Sequence, residues 1–357
     1  MHFGLTEEQK LLQETVRSFV AGECPPQVVR AVFDAGGAHD PALWKGLSEL
    51  GVAGMVVPEV YGGAGLELLD LALVAEELGA GAVPAPFLGH AMACVALSLG
   101  ASESQRERWL PALASGELVG TVGWSEPGGV IDPEAFTVEF REGALFGAKS
   151  LVPNASAAGL LVVAGPDGRL FVVERGAPGL RTEAVSNIDR TRPLEKVILE
   201  GVPAEELEQP VGDRVRDAGL VLLAADAFGC GHRLVRMSAE YAKARQQFGR
   251  PIAEFQAVKH QLANMAVEID PSRALWWFAA HAFDHMPEER EKAAALAKAH
   301  ITDRAARVAR DAVEAHGGLG FTWECDVQIY FKRAAFDRVV LGTPDQHRDR
   351  IADLGGY

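Results

Sequence analysis

The chain has 357 residues, of which 48% are hydrophobic and 23% are charged, and its formal net charge at neutral pH is −15. Such a length can form two or three domains around a large buried core. The acidic balance argues against nucleic acid as the main partner, because binding to a phosphate backbone requires a basic surface. A small anionic ligand held by a few arginines remains compatible with it.

The cysteines indicate the compartment. Cys24, Cys94, Cys230 and Cys325 are far apart in the sequence and have no metal-binding spacing, so we expect free thiols, no metal site and a cytoplasmic protein. The N-terminus becomes polar at once, which predicts no signal peptide. No apolar run reaches the roughly 18 uninterrupted residues of a membrane span, so no membrane partner is expected.

The first third of the chain has the 3.6-residue period of helices. Thr6 and Gln9 have the spacing of a capping box at the start of a helix predicted for residues 6–21. More helices are predicted around a turn-rich segment at residues 56–66, over residues 41–50, 68–78, 91–99 and 102–114. We therefore predict a helical domain over residues 1–118.

The pattern changes at Leu118, where short apolar runs separated by Gly and Pro begin. These runs have the length and the flanking turn signals of β-strands. They cover residues 119–124, 138–140, 144–147, 160–164, 170–173 and 196–199. A small barrel or sandwich is therefore predicted over residues 119–205.

From Val211 the helical period returns. Helices are predicted over residues 213–243, 252–283, 289–316 and 326–340, with a short one after Pro344. Pro271 is expected to bend the second of them, since proline removes a helix hydrogen bond. Long antiparallel helices predict a four-helix bundle over residues 206–357 and an α+β fold class overall. The arginine-rich run 333–350 is interpreted as surface and interface charge.

The segment between the first two bundle helices combines Arg245, Phe248, Gly249 and Gln256. A planar guanidinium suits a phosphate or pyrophosphate group, and a phenyl ring can pack on another ring. The alternative interpretation is a helix–helix connection that is basic by chance. The short motif alone does not decide between them.

Five motifs occur in order along the chain, two in the predicted β-domain and three in the predicted bundle. They are Trp124-Ser125-Glu126-Pro127-Gly128, Gly147-Ala148-Lys149, the segment from Arg245 to Gln256, the run 312–321 with Gly317-Gly318, and Gly342-Thr343. With the order of helical domain, β-domain and bundle, these motifs resemble the acyl-CoA dehydrogenase family across the whole chain.

The resemblance implies an FAD protein that oxidises an acyl-CoA thioester. A carboxylate would remove the α-proton, a hydride would leave the β-carbon for the flavin, and an electron-transfer flavoprotein would accept the electrons. It implies a homotetramer, or an α2β2 heterotetramer with a second acyl-CoA dehydrogenase subunit. The implied FAD contacts within the chain are Trp124, Ser125, Val152, Pro153 and Thr343. Those made to a neighbouring subunit's FAD are Arg245, Phe248, Gln256, Glu314, Gly317 and Gly318.

The positions where the family carries its catalytic Glu are Leu341 and Gly219 in this sequence, and neither residue can accept a proton. Asp226 lies in an apolar helical run two turns beyond Gly219 and is the candidate base. Burial is expected to raise the pKa of this carboxyl toward the range that suits a base. The alternative is a structural aspartate paired with Arg233 or His232.

The flavin contacts depart from the family pattern as well. Pro153 lacks the N–H and hydroxyl that would hydrogen-bond a flavin, Ile131 replaces a Ser, and Glu314 replaces a neutral Gln. These changes make the chain similar to the smaller subunit of steroid-type heterotetramers. The alternative function is therefore a non-catalytic subunit that completes a partner's FAD site.

Overall fold

The computed structural model describes residues 4–36 and 39–356. Within these ranges, the N-terminal part consists of the helices α1 (Glu7–Glu23), α2 (Pro26–Asp34), α3 (Pro41–Glu49), α4 (Leu68–Ala80), α5 (Phe87–Gly100) and α6 (Glu103–Ala114). The predicted capping box of Thr6 and Gln9 is confirmed at the start of α1. Helix α2 is an addition to the predicted set. It begins at Pro26, where the missing N–H costs no helix hydrogen bond.

The middle of the chain forms two β-sheets. Its strands are β1 (Gly120–Gly123), β2 (Glu139–Arg141), β3 (Ala144–Pro153), β4 (Leu160–Ala164), β5 (Leu170–Glu174), β6 (Leu180–Val185), β7 (Leu194–Pro203) and β8 (Glu205–Glu206). The strand orders are β1-β4-β5-β8 and β2-β3-β7-β6, and only the β1–β4 pair is parallel within residues 120–206. The sequence did not predict β6, because its side chains are mostly exposed and lack an apolar face.

The C-terminal part is a helical bundle. Its helices are α7 (Gly212–Ala244), α8 (Gln256–Ile269), α9 (Arg273–His285), α10 (Pro287–Ala315), α11 (Val327–Val339) and α12 (Pro344–Leu354). The predicted bend at Pro271 is a break, since a 3-10 turn at Asp270–Ser272 separates α8 from α9. Between α7 and α8, strands β9 (Gln246–Gln247) and β10 (Arg250–Pro251) form a hairpin instead of the expected helix–helix loop.

Helix α7 is the central element of the fold and packs against α4, α10, α11 and α5. Of the helices in the described residues, it alone has the length and apolar composition of a membrane span. However, 83% of its apolar window is buried inside the protein, which identifies it as a core helix. The candidate site residues 219, 226 and 245 are all positioned by this helix.

Two glycines allow α4 and α7 to approach closely. A Cβ atom at Gly229 would lie 1.9 Å from the backbone oxygen of Glu76, and one at Gly79 would lie 2.1 Å from the backbone oxygen of Asp226. Neither neighbour is a flexible side chain that could move aside. The missing side chains therefore fix the distance between the N-terminal helices and the bundle.

We expect Gly229→Ala to destabilise the protein by about 1–3 kcal/mol or more, because the added methyl group must push two helix backbones apart. Urea unfolding of the purified chain measures this change. The matched control is Gly22→Ala in α1, where an added Cβ meets nothing within 4 Å. It should be neutral or up to about 1 kcal/mol stabilising. Equal stability of both variants would contradict the close packing of α4 on α7.

Candidate functional site

The hairpin after α7 turns through Phe248 and Gly249, and both have positive φ angles, 53° and 78°. Two central residues with positive φ define the tight hairpin turn that normally carries Asn-Gly, because most side chains are strained there. Phe248 nevertheless occupies such a position, with 92% of its surface exposed. Its ring meets Phe255 edge to face, with the centroids 6.1 Å apart, and otherwise faces solvent. A strained and largely exposed aromatic ring points to a contact with another molecule.

The glycine motif after α10 lies beside this hairpin. The rings of Tyr241 on α7 and His316 after α10 stack with their centroids 4.5 Å apart, which joins the two segments. A Cβ at Gly317 or Gly318 would meet nothing within 4 Å, so the backbone there is open to close approach. We call the set of exposed residues Arg245, Phe248, Gln256, Glu314, Gly317 and Gly318 the hairpin surface.

The hairpin surface suits an anionic ligand with aromatic character. Arg245 has no carboxylate within 4.0 Å among the residues described, so its guanidinium is available to a phosphate group. Exposed Glu314 adds a negative charge nearby and weakens this preference. The stacking of Tyr241 on His316 joins the two segments that carry the residues assigned by the sequence to the cofactor of a neighbouring subunit.

The residues expected to contact a flavin within the same chain are placed differently. Trp124, Ser125 and Val152 are at most 4% exposed. Trp124 Nε1 donates a hydrogen bond to Ile131 O at 2.9 Å, and the carbonyl of Pro153 accepts one from Thr121 Oγ1 at 2.5 Å. The indole N–H of Trp124 and the carbonyl of Pro153 are therefore already hydrogen-bonded within the chain. The residues of the hairpin surface therefore fit a contact with FAD, whereas the residues around Trp124 and Pro153 fit it poorly.

A buried ion pair holds the loop that follows Trp124. Lys149 Nζ lies 3.0 Å from Glu126 Oε1, and both side chains are almost fully buried. Burial lowers the pKa of Lys149 to about 8, although Glu126 opposes the shift. Thr137 donates two further hydrogen bonds of 2.7 Å to Glu126. The Glu-Pro-Gly motif and the Gly-Ala-Lys motif are thus two halves of one structural unit.

The two family base positions meet in the core. A Cβ at Gly219 would lie 2.5 Å from Leu341 Cδ1 and 2.8 Å from Met92 Cε and Sδ. Leu341 and Met92 are 6% and 2% exposed. The point where a base would act is therefore filled with apolar side chains and carries no carboxylate.

A cleft opens next to this point. It has a volume of 660 Å³ and lies between loop 131–134 and helices α7, α10 and α12. This volume is within the usual range of small-molecule sites, about 300–1,000 Å³. His347 is fully buried at its edge, and its Nε2 lies 2.9 Å from the Leu341 carbonyl oxygen. Its Nδ1 has no hydrogen-bond partner among the residues that the structure describes. Thr343 caps α12 there, with its side chain accepting from Gln346 N. Seven of the fifteen residues that line the cleft are Asp or Glu, and its cations are Arg216 and Arg350.

Asp226 is a buried ion-pair partner. Its two carboxylate oxygens accept hydrogen bonds from Arg333 Nε at 2.9 Å and Nη2 at 2.7 Å, and Arg192 forms a second ion pair with it. Burial acts to raise the pKa of Asp226, but the two guanidinium groups outweigh it and lower the pKa to about 2. The expected rise in pKa is wrong, and Arg233 and His232 are not its partners. A carboxylate held ionised in this way is a weak base.

The sequence missed Arg192 and Arg333 as members of this cluster. Arg333 was interpreted as surface charge, yet it is 2% exposed. The sequence did contain a signal that Arg333 is buried. On α11, Tyr330, Arg333 and Asp337 recur with helical spacing, and this face of the helix is buried. The partners come from distant parts of the chain, because Arg333 Nη1 also donates to Val83 O at 3.1 Å. The ion cluster therefore joins the N-terminal helices, the β-domain and the bundle.

The comparisons with known proteins agree with this architecture. The model for the acyl-CoA dehydrogenase N-terminal domain matches residues 6–117, and the model for the C-terminal domain matches residues 218–355. Acyl-CoA dehydrogenase IpdE2 of Mycolicibacterium smegmatis is 34% identical over 97% of this chain and 98% of its own length. The chain belongs to the acyl-CoA dehydrogenase family, which is a family of flavoprotein oxidoreductases.

Solved structures give a similar result. A variant of the Tcur3481–Tcur3483 steroid acyl-CoA dehydrogenase matches with a TM-score of 0.91 and 32% identity, covering 98% of both chains. The ChsE4–ChsE5 complex of Mycobacterium tuberculosis matches with a TM-score of 0.89 and 26% identity over 100% of this chain and 99% of that one. The predicted family and α+β architecture are confirmed, and this chain is an acyl-CoA dehydrogenase homologue along its whole length.

We expect Asp226→Asn to destabilise the protein by about 3–5 kcal/mol, because it leaves buried Arg333 without its counter-charge and Arg192 with Asp337 alone. Urea unfolding measures the loss, and Asp270→Asn is the control at a half-exposed aspartate that pairs with His232. The control should change stability by about 0.5 kcal/mol or less. If Asp226→Asn kept its stability but abolished turnover in the assembled enzyme, the role of catalytic base would be supported instead.

His347 should make the protein acid-sensitive. Burial, assisted by the charge of Lys298, lowers the pKa of His347 from 6.5 to about 3, so the unfolded chain binds this proton more readily than the folded one. The stability contributed by neutral His347 is complete above pH 6.5 and is lost as the pH falls toward 3.

In His347→Gln, the free energy of unfolding should therefore decline less steeply below pH 6.5 than in the parent. The difference approaches about 1.4 kcal/mol per pH unit, the value for one proton. Urea unfolding at a series of pH values between neutral and acid gives both slopes. Parallel slopes for the two proteins would contradict a depressed pKa at His347.

Proposed function

We propose that this chain is a cytoplasmic subunit of an FAD-dependent acyl-CoA dehydrogenase and acts in a tetramer with a second acyl-CoA dehydrogenase subunit. The observation that carries the proposal is the hairpin surface, in which Arg245 and the strained, exposed Phe248 lie beside the open backbone of Gly317 and Gly318. Within the described residues, Arg245 has no carboxylate partner and Phe248 meets only the edge of Phe255 among the aromatic rings. They are available to a ligand that another subunit holds.

The proposed reaction is the α,β-dehydrogenation of an acyl-CoA thioester. A carboxylate removes a proton from Cα, and a hydride leaves Cβ, so that an enoyl-CoA forms. When bound, FAD accepts the hydride and passes the electrons to an electron-transfer flavoprotein. This chain would contribute Arg245 to the pyrophosphate charge, Phe248 as an aromatic contact, and the glycine backbone for close approach.

The proton acceptor is expected to come from the partner subunit. In this chain, Gly219 and Leu341 pack against each other without a carboxylate, and Asp226 is committed to two arginines. The poor fit of the residues around Trp124 and Pro153 to a flavin also agrees with a catalytic site that lies in the partner subunit. The heteromeric steroid relative supports a two-subunit enzyme and favours a bulky acyl group.

The test is the flavin content of the purified protein. We expect the chain expressed alone to be colourless, and its complex with a co-expressed acyl-CoA dehydrogenase partner to carry FAD. Arg245→Ala with Phe248→Ala should weaken flavin retention in that complex about tenfold or more, because a charge-assisted contact is lost. Size-exclusion chromatography must show that the complex still assembles.

The matched control is Arg181→Ala, which removes an exposed arginine of the β-domain that pairs with Glu200 at 2.7 Å. It should leave the flavin content at the parent level. Stoichiometric FAD in the chain purified alone would contradict the need for a partner and support a homotetrameric enzyme. Full flavin retention by the double variant would remove the hairpin surface from the cofactor site.

A further inference from the structure

A second cavity lies farther along α7 than the base positions, toward the C-terminal end of the helix. Its volume is 340 Å³, and α1, α2, the end of α4, α7 and α11 form its walls. This volume is within the usual range of small-molecule sites, about 300–1,000 Å³. Along α7 its residues Arg233 and Arg236 are four turns or more from Gly219, about 21 Å at 1.5 Å per residue. The cavity is therefore separate from the candidate dehydrogenase site.

The walls of this cavity are mainly apolar. Val20, Val29 and Ile329 line it and are 8%, 3% and 3% exposed. At its base, Tyr330 is mostly buried and donates its hydroxyl proton to Ala80 O at 2.9 Å. Since that polar group is already satisfied, the interior offers apolar contact and few free hydrogen-bonding groups.

The charges at the rim are not balanced. Arg17 forms an ion pair with Glu77 at 2.7 Å, and Asp326 forms one with Arg30. Arg233 and Arg236 also line the cavity, three residues apart on one face of α7. Neither has a carboxylate within 4.0 Å in residues 4–36 and 39–356. The cavity thus combines an apolar body with two uncompensated guanidinium groups at one edge.

We propose that this cavity binds an amphipathic carboxylate, with a compact apolar body between α1, α4 and α11 and its carboxylate on Arg233 and Arg236. Guanidinium groups match the planar geometry of a carboxylate and bind it through paired hydrogen bonds. Two cations at the rim disfavour a cationic ligand. The apolar walls disfavour a sugar or a free nucleotide, whose polar groups would lose their hydrogen bonds to water.

Sodium decanoate is the probe, and isothermal titration calorimetry on the full chain is the measurement. We expect saturable binding and a melting temperature that rises with decanoate concentration, since a ligand of the folded state stabilises it. Decanol, which has the same chain without the charge, should bind about tenfold more weakly or worse. No binding of decanoate to the parent protein would overturn the proposal.

Three variants locate the probe. Arg233→Ala with Arg236→Ala should weaken decanoate binding about tenfold or more. Ala21→Phe, at an exposed position on the cavity wall, should block binding while both guanidinium groups remain. Arg181→Ala on the β-domain is the control and should bind like the parent.

Circular dichroism shows that each variant is folded before binding is compared. Unchanged affinity in Ala21→Phe would place decanoate elsewhere, for instance in the cleft near Leu341, and would refute the site. Equal affinity of the parent and the double arginine variant would refute the carboxylate contact. Neither result depends on FAD or on a partner subunit. The experiment can therefore support this binding site even if the proposed dehydrogenase function is refuted.

Discussion

The buried ion cluster of Asp226, Arg333 and Arg192 is the interaction on which the arrangement of the three parts of the chain depends. Its members come from α7, α11 and the segment before β7, and Arg333 also reaches Val83 after α4. A buried charge without its partner is costly, so the cluster is stable only when all three parts are docked. The segment that carries Arg192 also contacts the end of β3, because Asn154 N donates to Pro193 O at 3.0 Å. The cluster therefore positions the β-domain against the bundle.

Local sequence signals predicted the parts of the fold that depend on local physics. The capping box at Thr6, the helical periods and the break at Pro271 could each be read from a few neighbouring residues. The partners of Asp226 could not be read in this way. Arg333 is 107 residues away in the sequence, and the pKa of an aspartate depends on charges that only the tertiary fold brings close. The same limit explains why burial alone suggested a raised pKa where the structure gives a lowered one.

The candidate site shows a similar contrast. Family motifs placed Arg245, Phe248 and the glycines at 317 and 318 on one surface, and the structure brings them together. The motifs did not predict the hairpin, since Phe is unfavourable at a position with positive φ and gives no turn signal. A residue type that is unfavourable for its backbone conformation is a useful marker of function, because the stability of the fold does not explain its presence. Around Trp124 the family motif is present, but the polar groups of Trp124 and Pro153 form hydrogen bonds within the chain.

The packing of Gly219 against Leu341 and Met92 also constrains how this chain can change over evolutionary time. A Cβ at position 219 would lie 2.5 Å from Leu341 Cδ1, so a carboxylate can enter there only if the Leu341 side chain moves aside or becomes smaller. A single substitution at 219 meets a steric barrier, and the order of substitutions matters. The two sites at which the family carries a base are thus coupled in this protein. A lineage that had exchanged its base for leucine would not easily regain one at the glycine.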